Sequence, residues 1–254
     1  MRSLLLLAFC FTLLVAAGPI SYGTQTGTKT LQSELKEVIE YAVEVSDSKY
    51  AKCNPSNAEL PQAPTPLPSP SSGLRLAHIA IGRGTQNYTC NTGNSTAAPV
   101  AGGALASLFN VTCLVIDSPA LISNLTQIAL DLPIPFTPEV DDAAEGFYGY
   151  SGEHFFLDTT TPFFNLDTAT HQYGTGAFKK AAASNPPTGS TVGPNGQGNG
   201  AVPWLKLTAA PGYGVQKLME VYRVQTAGGS APKTCAGQDK NIYVPYSAEY
   251  WFYA

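Results

Sequence analysis

Two runs near the end of the chain decide the fold. They are Gly214-Val-Gln-Lys-Leu-Met-Glu-Val-Tyr-Arg-Val-Gln-Thr-Ala-Gly-Gly229 and Ile242-Tyr-Val-Pro-Tyr-Ser-Ala-Glu-Tyr-Trp-Phe-Tyr253. Both are rich in β-branched and aromatic residues, and Ala231-Pro-Lys-Thr-Cys235 lies between them. That pattern predicts two strands joined by a turn region that a disulfide staples. On the first strand Glu220, Tyr222 and Val224 share one face and Arg223 and Gln225 the other. On the second, Glu249 shares a face with Tyr243, Ser247 and Trp251.

Working outward, further strand-like runs occupy 74–82, 86–90, 102–109 (continuing into 111–116), 154–157, 163–166, 176–183 and 202–208. Many short strands between turn residues predict an all-β sandwich or barrel of about nine to ten strands. Two helices decorate it. Leu31, Leu35, Val38, Ile39, Ala42 and Val43 fall on one face of a helix over 28–45. Pro119 opens an inserted helix over 120–130, at the position where a missing N–H costs nothing. Between them, 61–72 is Pro-rich and extended. The organisation expected is therefore a leader over 1–17, a helical segment over 18–52, a strap over 53–73 and a β domain over 74–254.

Met1-Arg2, the apolar run from Leu4 to Val15 and the small residues at Ala16 and Ala17 form a secretory signal pattern. The run is too short to span a bilayer comfortably, and the C-terminus lacks a lipid-anchor signal. A secreted protein, extracellular or wall-associated and without a membrane anchor, is expected. Charged residues make up 13% of the chain, and the net charge of −4 becomes −5 without Arg2. With no basic block, nucleic acid is not an expected partner. Sequons at Asn87, Asn94, Asn110 and Asn124 predict glycosylation, with Asn94 in the most turn-like context.

Cys10 leaves with the leader, so Cys53, Cys90, Cys113 and Cys235 remain. Two disulfides follow, with three connectivities open. Cys90 and Cys113 border neighbouring strand-like runs, which favours Cys90–Cys113, with Cys53–Cys235 tying the N-terminal segment to the last loop.

Chemistry is less legible. Gly82-Arg-Gly84 and Gly212-Tyr-Gly214 are not strand-to-helix phosphate loops, so no dinucleotide cofactor is expected. The histidines His78, His154 and His171 have no i, i+2 or i, i+4 partner, and Gly18 rather than histidine would start the mature chain; no metal is expected. The candidate catalytic groups are His154 with Asp158, and Glu249 with Arg223, although Glu249 is equally placed for an ion pair to Arg223 or Lys206. Trp204, Tyr222 and Trp251 are candidate stacking platforms for sugar rings, against the alternative that they fill a core.

Three segments carry a resemblance: Leu76-Ala-His-Ile-Ala-Ile-Gly-Arg-Gly-Thr-Gln-Asn-Tyr-Thr-Cys90, Gly152-Glu-His-Phe-Phe156 through Thr161-Pro-Phe-Phe164, and Val202-Pro-Trp-Leu-Lys-Leu207 with the C-terminal run. Together they resemble the DUF3455 family of secreted fungal proteins, which has shorter bacterial relatives. The resemblance implies no catalytic residues, since the family has none established. Some members are labelled malate dehydrogenase, which nothing in this chain supports. Relatives carry Gly-His-His or Gly-x-His in the middle motif, and Glu153 stands at the first of those histidines here. The function expected is that of a non-enzymatic glycosylated protein acting at a cell wall or a host surface, with polysaccharide as its partner. The alternatives are an extracellular enzyme acting on a polysaccharide or a small hydroxylated substrate, and a virulence-associated effector.

Overall fold

Pairing follows chain order without exception. In the computed structural model, which describes residues 54–254 except 92, 118, 135–148 and 170, each strand is antiparallel to the next and the last returns to the first. The strands are β1 (Leu76–Thr89), β2 (Val100–Asn110), β3 (Tyr150–Phe156), β4 (Pro162–Asp167), β5 (Gln172–Ser184), β6 (Trp204–Ala209), β7 (Glu220–Gly228) and β8 (Asn241–Tyr253). The result is a closed eight-stranded barrel. Closure removes the sheet edges that would otherwise invite pairing with other chains.

The all-β expectation holds, with two differences in the count. The runs 74–82 and 86–90 are one strand, because Gly82 and Gly84 continue the ladder from Ile81 to Thr85 against both neighbours. The run 111–116 is not a strand but helix α1 (Thr112–Asp117). Asn110 starts it, its Oδ1 accepting from the Thr112 N–H at 3.0 Å. Helix α2 (Pro119–Asp131) then occupies the position expected for the inserted helix. The leader expected over 1–17, the helix predicted over 28–45 and Cys53 lie outside the described residues.

Inside the barrel, large and small residues complement one another. Ala80, Ala104 and Ala106 face Phe164, Phe178, Tyr246, Tyr250 and Phe252 in one buried cluster. Gly82 matters here: a Cβ on it would lie 2.6 Å from Tyr250 Cε2, so only glycine admits that ring. An eight-stranded barrel is just wide enough for side chains to fill it or to hold one small ligand.

The outer wall of β1, β6, β7 and β8 is also covered. Ile79, Ile81, Trp204, Tyr222, Val224 and Trp251 pack beneath α1, α2 and the strap, with Leu60, Leu67, Leu114, Leu125 and Ala129 against them. Burial on both faces explains why β7 and the second half of β8 are nearly continuous in apolar and aromatic residues. The strap is pinned at several points. Tyr222 Oη donates to Pro68 O at 2.7 Å, Lys206 Nζ donates to Ser69 O at 2.7 Å, and Glu220 accepts from the Ser71 N–H and hydroxyl.

The disulfide pairing differs from expectation. Cys90 bonds Cys235, with Cα atoms 5.5 Å apart, and Cys113 is in a disulfide as well. Neither Cys90–Cys113 nor Cys53–Cys235 forms. The reason is topological: the end of β2 lies beside Ala80, and ten residues of β1 separate Ala80 from Cys90. At about 3.3 Å per residue that is roughly 30 Å, far beyond disulfide reach.

Candidate functional site

Connections 90–99, 157–161, 185–203 and 229–240 gather at one pole of the barrel. The Cys90–Cys235 bond ties the first of these loops to the last. Just inside this loop pole the interior changes character from apolar to polar.

Arg223 is the central group. Its Cα pairs with Tyr250 on one side and Leu205 on the other, and both neighbours have inward side chains, so Arg223 points into the barrel. It is 9% exposed. Its Nε and Nη2 donate to Pro203 O at 3.3 and 3.0 Å, and the guanidinium also reaches the Tyr250 hydroxyl. No acidic side chain among the described residues pairs with it; the ion pair seen is Lys206–Glu220, 3.1 Å apart on the outer wall.

Around Arg223 stand a tyrosine pair, a histidine and an amide. The hydroxyls of Tyr246 and Tyr250 are 3.0 Å apart. Burial holds both well on the protonated side, and the guanidinium opposes that shift only in part. His154 stacks on Phe164 with ring centroids 4.1 Å apart, and its Nδ1 lies 2.9 Å from Phe163 O. A carbonyl accepts only, so Nδ1 carries the proton and Nε2 the lone pair. Burial, opposed in part by the bond to Phe163 O and helped by the field of Arg223, lowers the His154 pKa to about 3, so the ring is neutral. Gln86 flanks Tyr246, and its buried Nε2 has no hydrogen-bond partner.

On β5, past its last pair with β4 at Ala177, Ala183 is exposed, and Leu205 opposite it on β6 is half-buried.

Of the residues anticipated from sequence, only His154 and Arg223 meet here. Asp158 sits at the exposed β3–β4 turn, where its carboxylate accepts from the N–H and hydroxyl groups of Thr160 and Thr161. Those bonds hold its pKa at about 2. Asp158 lies beyond the end of β3, four residues on from His154, with its carboxylate turned into that loop. Glu249 faces the outer wall, across the sheet from Arg223's side chain, and donates no geometry to a shared centre. Trp204, Tyr222 and Trp251 are 2%, 0% and 0% exposed beneath the strap and helices, so no sugar ring can stack on them. Both catalytic pairs and the three stacking platforms are therefore corrected. Among the described residues no three His, Cys, Asp or Glu side chains are placed to hold a metal.

Gln86, Tyr246 and Tyr250 were not singled out from sequence. Their signal is visible only once register is known: Tyr246 and Tyr250 share one face of β8 and oppose Gly84 and Ala80 of β1.

His78, the other fully buried histidine, lies toward the opposite pole, stacked on Tyr173 at 4.4 Å. The sequons also separate. Asn94 and Asn124 are exposed; Asn87 is half-buried within β1, and half-buried Asn110 starts α1.

No curated protein and no solved structure matches the chain. A family model described as "Protein of unknown function (DUF3455)" matches residues 70–254, the strap's end and the whole barrel, and the chain belongs to that family.

Proposed function

We propose that this is an exported, glycosylated, non-catalytic binding protein whose small-molecule ligand enters the barrel at the loop pole. The observation that carries the reading is the buried Arg223 guanidinium without a carboxylate partner, set among the Tyr246–Tyr250 pair, Gln86 and His154. A buried cation held by a carbonyl and a hydroxyl, with no opposite charge, is costly to keep, so a fold that keeps one has a use for it. Export is supported by the leader pattern and by cysteines held as disulfides, and glycosylation by the exposed sequons at Asn94 and Asn124. A role at a wall or host surface accords with export.

The interior cluster contains no acidic residue that could pair with another as acid and base. Glycoside hydrolysis by two facing carboxylates therefore has no support at this pole. Thermal-shift screening of the glycosylated protein against neutral sugars, uronic acids, aliphatic carboxylates and amines tests the reading. At least one class should raise the melting temperature of the wild type and leave Arg223→Met unshifted. Equal shifts in both proteins, or none for any class, would sink it.

A further inference from the structure

We infer that the ligand of the loop pole is a hydroxylated ring bearing a single carboxylate, an acidic sugar of the uronate class. This rests on the binding reading above and adds the chemistry of the ligand.

Charge comes first. The buried cluster holds one cation, Arg223, and no anion among the described residues pairs with it. A singly charged ligand matches that count better than a phosphate dianion. The guanidinium's Nε and Nη2 already share the Pro203 carbonyl, and it also reaches the Tyr250 hydroxyl, so its remaining N–H groups and that hydroxyl stand side by side. A guanidinium N–H and a hydroxyl so placed can each donate to one oxygen of a carboxylate.

Hydrogen-bond counting gives the second half. Two tyrosine hydroxyls 3.0 Å apart use one proton between them, which leaves the other free to donate. Gln86 Nε2, turned toward the Tyr246 hydroxyl, makes no close hydrogen bond. The surplus is thus of donors, which suits a carboxylate. One acceptor stands beside them, the His154 Nε2 lone pair, fixed by the Nδ1 contact to Phe163 O. It can take a proton from a ligand hydroxyl. Phe156, half-buried beside the imidazole with ring centroids 5.5 Å apart, supplies an apolar face for a sugar's C–H groups.

Isothermal titration tests the idea with matched pairs: glucose against glucuronate, galactose against galacturonate, and glucose 6-phosphate. A short oligogalacturonate distinguishes a free monosaccharide from the end of an acidic polysaccharide. The uronates should bind the wild type, and the neutral partners should bind about 10- to 100-fold more weakly, the range expected for a charge-assisted pair. Arg223→Met should weaken the uronate by a similar factor, and Arg223→Lys by less. Because Arg223 also holds Pro203, Tyr250→Phe and Gln86→Leu serve as second variants, each checked for native circular dichroism. Each should weaken the uronate several-fold.

If neutral sugars or the phosphate bind as well as the uronates, and Arg223→Met abolishes that binding, the carboxylate is wrong and the binding pole stands. Uronate affinity unchanged in Tyr250→Phe, Gln86→Leu and both Arg223 variants overturns the placement. Binding of none of these probes overturns the inference, and it is the thermal-shift panel that then decides the broader reading.

Discussion

Glu249 carries the sharpest stability prediction. It lies on the outer wall, fully buried, opposite Ile81 of β1 and Val224 of β7 and in the layer that Leu125 and Ala129 of α2 cover. Its Oε1 accepts from Trp251 Nε1 at 2.5 Å, and its Oε2 has no partner. The nearest cation on β1, Arg83, is committed to the carbonyls of Gly84, Leu132 and Tyr246. Burial therefore raises the Glu249 pKa from 4.5 to about 7, and the Trp251 N–H only partly opposes it. The folded state holds this proton more tightly than the unfolded chain. The stability is full below about pH 4.5 and is lost as pH rises through 7.

At about 1.4 kcal/mol per unit, the whole effect is roughly 3 kcal/mol, of which about 2.5 falls between pH 5 and pH 8. Two histidines act in the opposite sense. Burial lowers the pKa values of His78 and His154 to about 3, so each costs stability as pH falls below 6.5. Wild-type stability should therefore peak near pH 6.5. Urea unfolding of wild type and Glu249→Gln at pH 5, 6.5 and 8 separates the terms, because the histidines cancel in the difference. The gain from Glu249→Gln should be about 2.5 kcal/mol larger at pH 8 than at pH 5. Parallel curves, within about 0.5 kcal/mol, would refute the reasoning.

The strap, the disulfide and the glycine beneath Tyr250 give three further tests. Glu220→Ala strands Lys206, which is 5% exposed, and releases Ser71; it should cost about 3 kcal/mol and open 61–72 to protease, and an unchanged digestion pattern would count against the clamp. Non-reducing peptide mapping should recover Cys90 linked to Cys235, and replacing both by serine should cost about 2–4 kcal/mol. Recovery of a Cys90–Cys113 peptide would contradict the topology. Gly82→Ala drives a methyl into the Tyr250 ring and should cost about 1–3 kcal/mol while weakening any ligand that needs the Tyr250 hydroxyl. Wild-type stability and affinity together would mean that the ring is free to move.

The strands of this barrel are written locally, in β-branched and aromatic runs separated by Gly, Pro and Asn, and so their positions could be read directly. Its closure could not, because strand order is a property of the pairing between β1 and β8, which lie far apart in the chain. The alternation rule failed on β8 for a physical reason: the strap and α2 bury its outer face, so Trp251 and Tyr250 are both core while pointing opposite ways. The same cover turned three aromatic ligand candidates into packing. Cys90 and Cys113 look adjacent only when 111–116 is read as a strand; as a helix beyond the far end of β2, that segment carries Cys113 to the other pole. Arg223 and His154 were visible because charged and imidazole groups are rare inside apolar runs. Their companions Tyr246, Tyr250 and Gln86 were not, since a tyrosine in a strand gives no sign of whether its hydroxyl will face a core or a ligand.

The most direct test of the account is a crystal structure of the protein grown with galacturonate. The account predicts the sugar inside the loop pole, its carboxylate within hydrogen-bond distance of Arg223 and its ring beside His154 and Phe156. A sugar seated on the outer wall, with the Arg223 cluster unchanged, would contradict it.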